Sequence, residues 1–221
     1  MTLSELIKMA RQRLGDTVTG PYLWSTAELK EFANDAQREA CRRSRLIVDS
    51  TTTAICEITL ASGTATYDLD DRIIFIKRAI VDGQSSPLGR AHSADLDNNA
   101  PGWETETGLP RAYVPNMDVH SFRPYPAPDG AYTVRLTVIR VPLVDMDDGD
   151  DTPEIRGRYH LGLVNWMMYR AYMKQDSQVF DPKAASVAEA MFEAEFGKRS
   201  SAQDEAWISR EHGYFPEEGI Y

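Results

Sequence analysis

Residues 23–45, LWSTAELKEFANDAQREACRRSR, set the tightest limit on what this chain can become. Ser25 is placed to cap a helix, and Glu28 three residues on completes a capping box. Trp24 and Leu29 flank the cap as a hydrophobic staple. Leu29, Phe32, Ala33, Ala36 and Ala40 then recur at helical spacing, which predicts a helix of roughly 20 residues with one apolar stripe. Glu31, Asp35, Arg38, Glu39 and Arg42 fall largely off that stripe. Such a helix needs other elements to cover it, because isolated helices are marginal in water.

The N-terminal segment supplies one short partner. Thr2 and Glu5 form a second capping box, Leu3, Leu6, Ile7, Ala10 and Leu14 share a face, and Gly15 is placed to end the helix. After Asp49 the pattern changes to strand. Residues 51–60 favour a strand, Ser62-Gly63 a turn, and residues 64–69 its hairpin partner. Further strands are predicted over residues 73–81, 111–114, 119–125 and 132–141, the last with Tyr132, Val134, Leu136 and Val138 on one face. Residues 90–110 are rich in Asp, Asn, Gly and Pro and read as a long loop.

Helix signals return after the aspartate run at residues 145–151. Thr152-Pro153 and Asp181-Pro182 each pair a cap with proline at the first helical position. A helix rich in aromatics and methionine is expected from Tyr159 to about Lys174, another from Asp181 to near Gly197, and a last one from Ser201 to about His212. The expected class is α+β. A helical bundle forms from the N- and C-terminal helices (residues 1–50 and 152–200), with an inserted antiparallel β module (51–151) and a C-terminal helix and extended tail (201–221). Two sequential domains are the alternative, but two short N-terminal helices would struggle to bury their stripes alone.

The net charge of −10 argues against a protein whose main task is gripping nucleic acid, since phosphate neutralisation needs an excess of Lys and Arg. The two cysteines, Cys41 and Cys56, have no metal-ligand spacing and read as reduced thiols of a cytosolic protein. No leader pattern and no long apolar run is seen, so neither export nor a membrane span is expected. Counted from Asp145, Gly149 and Glu154 miss the glycine and glutamate positions of a calcium loop, so the aspartates read as a solvated connector. His92, His120, His160 and His212 form no zinc motif, and no nucleophile elbow, phosphate loop or dinucleotide fingerprint occurs. No cofactor, metal or catalytic residue is therefore assigned.

Two features point to partners. Arg38, Arg42 and Arg45 share one helix side, with Arg43 beside them, and are candidates for a contact with acidic segments of an identical neighbour. The tail from Tyr214 to Tyr221 has few ways to bury its large apolar side chains in its own domain; Tyr214, Phe215, Ile220 and Tyr221 are candidates for docking on a partner, with folding back on the same chain as the alternative. Trp103, Tyr113 and Tyr125 are candidates for stacking on sugars, should the β module be a host- or carbohydrate-binding part.

The ordered set Leu23-Trp24-Ser25-Thr26-Ala27-Glu28-Leu29, Asn34 to Ala40, Val48-Asp49-Ser50-Thr51-Thr52, Gly102-Trp103-Glu104, Gly108-Leu109-Pro110, Asp151 to Ile155, Tyr159-His160 through Ala171-Tyr172, Lys174-Gln175-Asp176 and Phe192 to Phe196 resembles the head-to-tail adaptor proteins of tailed phages, also called neck, connector or tail accessory proteins. The likeness covers most of the chain without a catalytic-type signature. It implies a structural virion protein, not an enzyme, that forms a ring, usually of twelve copies, beneath the portal. Its partners would be other copies of itself (a monomer when free), the portal, and tail or nozzle proteins. Genomic DNA would pass without sequence-specific binding, and no membrane would be involved. The place of action would be the virion neck, after assembly in the host cytoplasm. In some members a C-terminal extension reaches onto the portal, the role carried to Trp207 and residues 214–221. A tail component that binds carbohydrate or host, or a tail-associated cell-wall hydrolase, is the alternative.

Overall fold

The structure is a computed structural model that describes residues 1–18, 20–176, 178–199 and Ser201. Along the chain run α1 (Leu3–Leu14), α2 (Thr26–Ser44), β1 (Ile47–Asp49), α3 (Thr53–Cys56), β2 (Glu57–Leu60), β3 (Tyr67–Asp68) and β4 (Ile73–Val81). Then come β5 (Gly89–Arg90), α4 (Ser93–Asn99), β6 (Thr107–Gly108), β7 (Ala112–Pro115), β8 (Ser121–Tyr125), β9 (Ala127–Pro128) and β10 (Tyr132–Arg140). The order closes with α5 (His160–Tyr172) and α6 (Pro182–Phe196). The class is mixed α+β. The chain folds as two compact units: Met1–Ile47 joins Arg140–Arg199 in a helical one, and Val48–Ile139 makes the other.

In the helical unit the caps form where the side chains allow them. The hydroxyls of Thr2 and Ser25 accept from the backbone N–H groups of Glu5 and Glu28, and each glutamate returns a bond to its cap residue. Gly15, at φ +72°, closes α1 in a left-handed conformation that a side chain resists. Asp181 caps α6 ahead of Pro182. Leu6, Ala10, Leu29, Ala33, Ala36, Ala40, Leu163, Met167, Phe192 and Phe196 share one core. Each fully buried large side chain there contributes about 1.5–3 kcal/mol. Trp166 and Phe192 pack as tilted rings with centroids 5.0 Å apart, and Phe192 and Phe196 lie at 4.5 Å.

The helix expected at Thr152-Pro153 does not form there. A single 3-10 turn over Gly157–Tyr159 leads into α5 instead. Tertiary partners take the backbone first: Glu154 N–H donates to Gln37 Oε1 at 2.5 Å, and the Glu154 carboxylate accepts from Leu143 N–H at 2.9 Å and from Arg140.

In the second unit β10 is the central strand, paired with β1, β2 and β4. Val134 stands opposite Ile58 in the antiparallel β2–β10 pair. A second sheet runs β3-β8-β7-β5, and β6 pairs with β9. Four expectations change here. Residues 53–56 form the one-turn helix α3, because the Asp49 carboxylate accepts from the N–H groups of Thr51 and Thr52 at 2.9 and 3.1 Å and bends the chain ahead of it. Residues 64–69 do not return on β2. Tyr67 pairs with Phe122 of the second sheet instead, so β2 has β10 as its partner and no hairpin forms. Residues 90–110 are not a plain loop: α4 and a 3-10 turn at Trp103–Thr105 gather round the Trp103 ring, whose Nε1 donates to Asp97 at 2.9 Å. The strands are not all antiparallel either, for β5–β7 and β6–β9 are two-residue parallel pairs made by long connections, not by hairpins.

Candidate functional site

Helix α2 presents a polar face as well as its apolar stripe. Lys30, Asn34, Gln37 and Arg38 recur at roughly one-turn steps, and all four hold the segment that follows β10. Lys30 Nζ and Arg38 Nη1 each lie 2.5 Å from a carboxylate, of Asp147 and Asp145 respectively. Asn34 exchanges two hydrogen bonds with the Met146 backbone, donating to its carbonyl at 2.9 Å and accepting its N–H at 2.8 Å. Gln37 accepts the Glu154 N–H. The aspartate run is thus a strap clamped to α2. Asp151 accepts the N–H groups of Asp147 and Asp148, and those bonds hold its carboxyl below its usual range. Among the described residues no group of His, Cys, Asp or Glu is arranged to hold a metal.

The four arginines at the far end of α2 have different fates. Arg38 is half-exposed and paired with Asp145. Arg42 is also half-exposed, 3.9 Å from Glu39. Arg45 is exposed and ends the helix in a left-handed conformation, φ +51°, with its N–H donating to Cys41 O at 2.8 Å. Arg43 is buried, its side chain only 2% exposed. Its Nε donates to Glu39 Oε1 at 2.8 Å and its Nη1 to Gly197 O at 3.2 Å. The guanidinium carbon stands 5.0 Å from the centroid of the Trp166 ring and 5.1 Å from that of Phe192. Arg43 therefore cannot reach a neighbouring molecule, because it is already part of its own core. Glu39, expected off the apolar stripe, is buried beside it and also faces Arg199 at 3.7 Å. Helical spacing alone gave no hint of this; the hint lay in the carboxylate four residues before Arg43.

Sequence reasoning also missed Asp16. It is buried and accepts from Arg11 at 2.5 Å and from the backbone N–H of Leu23 at 3.1 Å, which fixes the loop into α2. Arg11 in turn lies 3.7 Å above the Tyr22 ring. Trp103, Tyr113 and Tyr125 are all buried, Trp103 edge-on to Tyr125 at 5.9 Å and Tyr113 stacked on Phe122 at 5.0 Å. They are core rings, so they offer no open face to a sugar. Cys41 and Cys56 form no disulfide and are buried, and burial pushes the Cys41 thiol up to about 12. Trp166 and Met167 line the core, whereas Met173 at the end of α5 is exposed. The docking candidates Trp207, Tyr214, Phe215, Ile220 and Tyr221, and the helix expected from Ser201, lie outside the described residues.

A family model described as SU10 adaptor protein matches residues 1–212. No curated protein matches the chain. No helix among the described residues is long and apolar enough to cross a membrane.

Proposed function

The chain belongs to the SU10 adaptor protein family, a phage structural adaptor, and we propose that it works as the head-to-tail adaptor of a tailed phage. In this reading copies assemble as a ring, of twelve in the virion, beneath the portal. The ring extends the DNA channel and gives the tail or nozzle proteins a platform. The protein acts by assembly, not by chemistry, and resides in the virion neck after assembly in the host cytoplasm.

The observation that carries the reading is the family match along nearly the whole chain. Charge supports it. An adaptor that lines a DNA path must let phosphate slide past, and a net charge of −10 repels DNA instead of trapping it. Of the arginine cluster, Arg42 and Arg45 remain the candidates for the contact with a neighbouring copy, and Arg38 can join them by exchanging Asp145 for a partner's carboxylate. Trp207, Tyr214, Phe215, Ile220 and Tyr221 are proposed to dock on the portal. No observation favours the carbohydrate-binding or hydrolase alternative.

The test is electron microscopy of purified protein mixed with portal. A ring of adaptor density beneath the portal is expected. Protein that remains free of both portal and tail components at micromolar concentration overturns the proposal.

A further inference from the structure

Helix α6 is apolar on two sides. Ala185, Ala188, Phe192 and Phe196 are buried. On the opposite side Val187, Ala190, Met191 and Ala194 recur at i, i+3, i+4 and i+7, and all four are exposed. Val187 is 56% and Met191 54% exposed. A surface helix ordinarily turns charged side chains outward. The principal neighbours of α6 among the described elements are α5 and α2, on its inner side. The outer stripe is left for something else.

The chain supplies the nearest candidate. Gly197, at φ +84°, ends α6 with its N–H donating to Glu193 O at 2.8 Å. That end is pinned to α2, for Ser44 Oγ donates to Phe196 O at 2.7 Å and Arg43 Nη1 to Gly197 O at 3.2 Å. The helix expected next from the sequence has Ser201 as its cap, so residues 197–201 make the whole connection. Connections that short set consecutive helices side by side and antiparallel. In the expected helix Ala202, Ala206 and Trp207 fall on one side, two small residues beside a large one, as in the stripe of α6. Met191 and Trp207 each stand eight residues from Arg199, and Ala206 comes level with the gap between Ala190 and Ala194. Tethering decides between this occupant and a second copy. A segment held by so short a connection is present at an effective concentration of roughly millimolar or more, above that of separate copies in dilute protein.

We propose that residues 201–212 fold back on the outer stripe of their own α6, with Trp207 against Met191. The fold-back stores Trp207 in the free chain, and docking on the portal has to displace it. The fold-back itself is independent of the adaptor reading; the displacement rests on that reading.

Thiol chemistry on the full chain tests it. Native Cys41 and Cys56 are buried and form no disulfide. Met191→Cys is expected to react with a maleimide at least about tenfold more slowly in the full chain than in a chain stopped after Ser201. Val144→Cys, at an exposed position of the strap, is expected to react alike in both. Trp207→Ala is expected to bring Met191→Cys to the fast rate. Ala190→Cys with Ala206→Cys, which keeps both large side chains, is expected to close an internal disulfide in dilute protein. Locked in that way, the chain is expected to bind purified portal at least about tenfold more weakly than the same chain reduced. Three results overturn the fold-back: equal labelling of the full and shortened chains; slow labelling that survives Trp207→Ala; or disulfide-linked dimers in place of the internal bond, which mark a second copy as the occupant. Equal portal binding by locked and reduced chains overturns the displacement. Rings on portal from a chain whose Met191→Cys labels fast when free remove the fold-back and leave the adaptor reading. Slow labelling in a chain that never binds portal does the reverse.

Discussion

Arg43 donates to Glu39 and Gly197 with its side chain almost wholly buried, so its value lies inside the chain. Arg43→Glu sets a second carboxylate against buried Glu39, and breaking a buried ion pair typically costs about 3–5 kcal/mol. A loss in that range is expected in the urea midpoint, whereas Arg42→Glu is expected to cost less than about 1 kcal/mol because Arg42 is largely solvated. Equal effects of the two would refute the burial argument. A double change of Arg42 and Arg43 therefore reports on folding before it reports on assembly, and Arg42→Glu with Arg45→Glu is the cleaner probe of a copy-to-copy contact. The four arginines look equivalent in the sequence. Only the rings of Trp166 and Phe192, brought in by α5 and α6, separate Arg43 from the rest.

At the scale of elements, the start of α2 is tied to the end of α5. Glu28 completes the capping box with Ser25 and lies 2.7 Å from Lys174. The Lys174 and Ser25 bonds lower its pKa from 4.5 to about 2. A carboxylate with a depressed folded pKa adds stability above its unfolded value and loses it as pH falls through the folded one. The advantage of wild type over Glu28→Gln is thus expected to be full above about pH 5, to fall steadily as pH drops towards the folded pKa of about 2, and to vanish only by about pH 1. It stays below the full linkage value, since solvent screens a pair that is a third exposed. A constant difference across that range of urea midpoints would contradict the assignment. Gly162 lies in the first turn of α5, where the nearest atoms a Cβ would meet are the carboxyl tip of Glu195. Glu195 can swing into solvent, so Gly162→Ala is expected to stabilise by up to about 1 kcal/mol through helix propensity, read in the same assay. The capping boxes, the Asp181-Pro182 start and the stripe of α2 were legible because their causes are local. The missing helix at Thr152 and the missing hairpin after β2 were not, because distant partners decided them.

At the scale of the whole molecule, the charge makes a prediction of its own. With −10 net, Lys30 and Arg38 paired to the strap, and Arg42 and Arg43 beside Glu39, the protein is expected not to shift duplex DNA in a gel assay at physiological salt. Salt-sensitive binding in the micromolar range would remove the support that charge lends to a passive DNA path. The role in a phage adaptor was legible as a family likeness spread thinly along the chain, and the family match over residues 1–212 carries it.

Sequence by itself determined the mixed α+β class, where α1, α2 and α6 begin, the amphipathic character of α2 and the acidic balance. Each follows from neighbours within a few residues or from a sum over the chain. Tertiary structure alone decided that Arg43 and Glu39 are core, that Trp103, Tyr113 and Tyr125 are closed to ligands, that the aspartate run is a strap on α2, and that α6 keeps a second apolar face outward. Those outcomes depend on which distant segment reaches a side chain first, and helical or strand periodicity says which residues share a face without saying what will cover it.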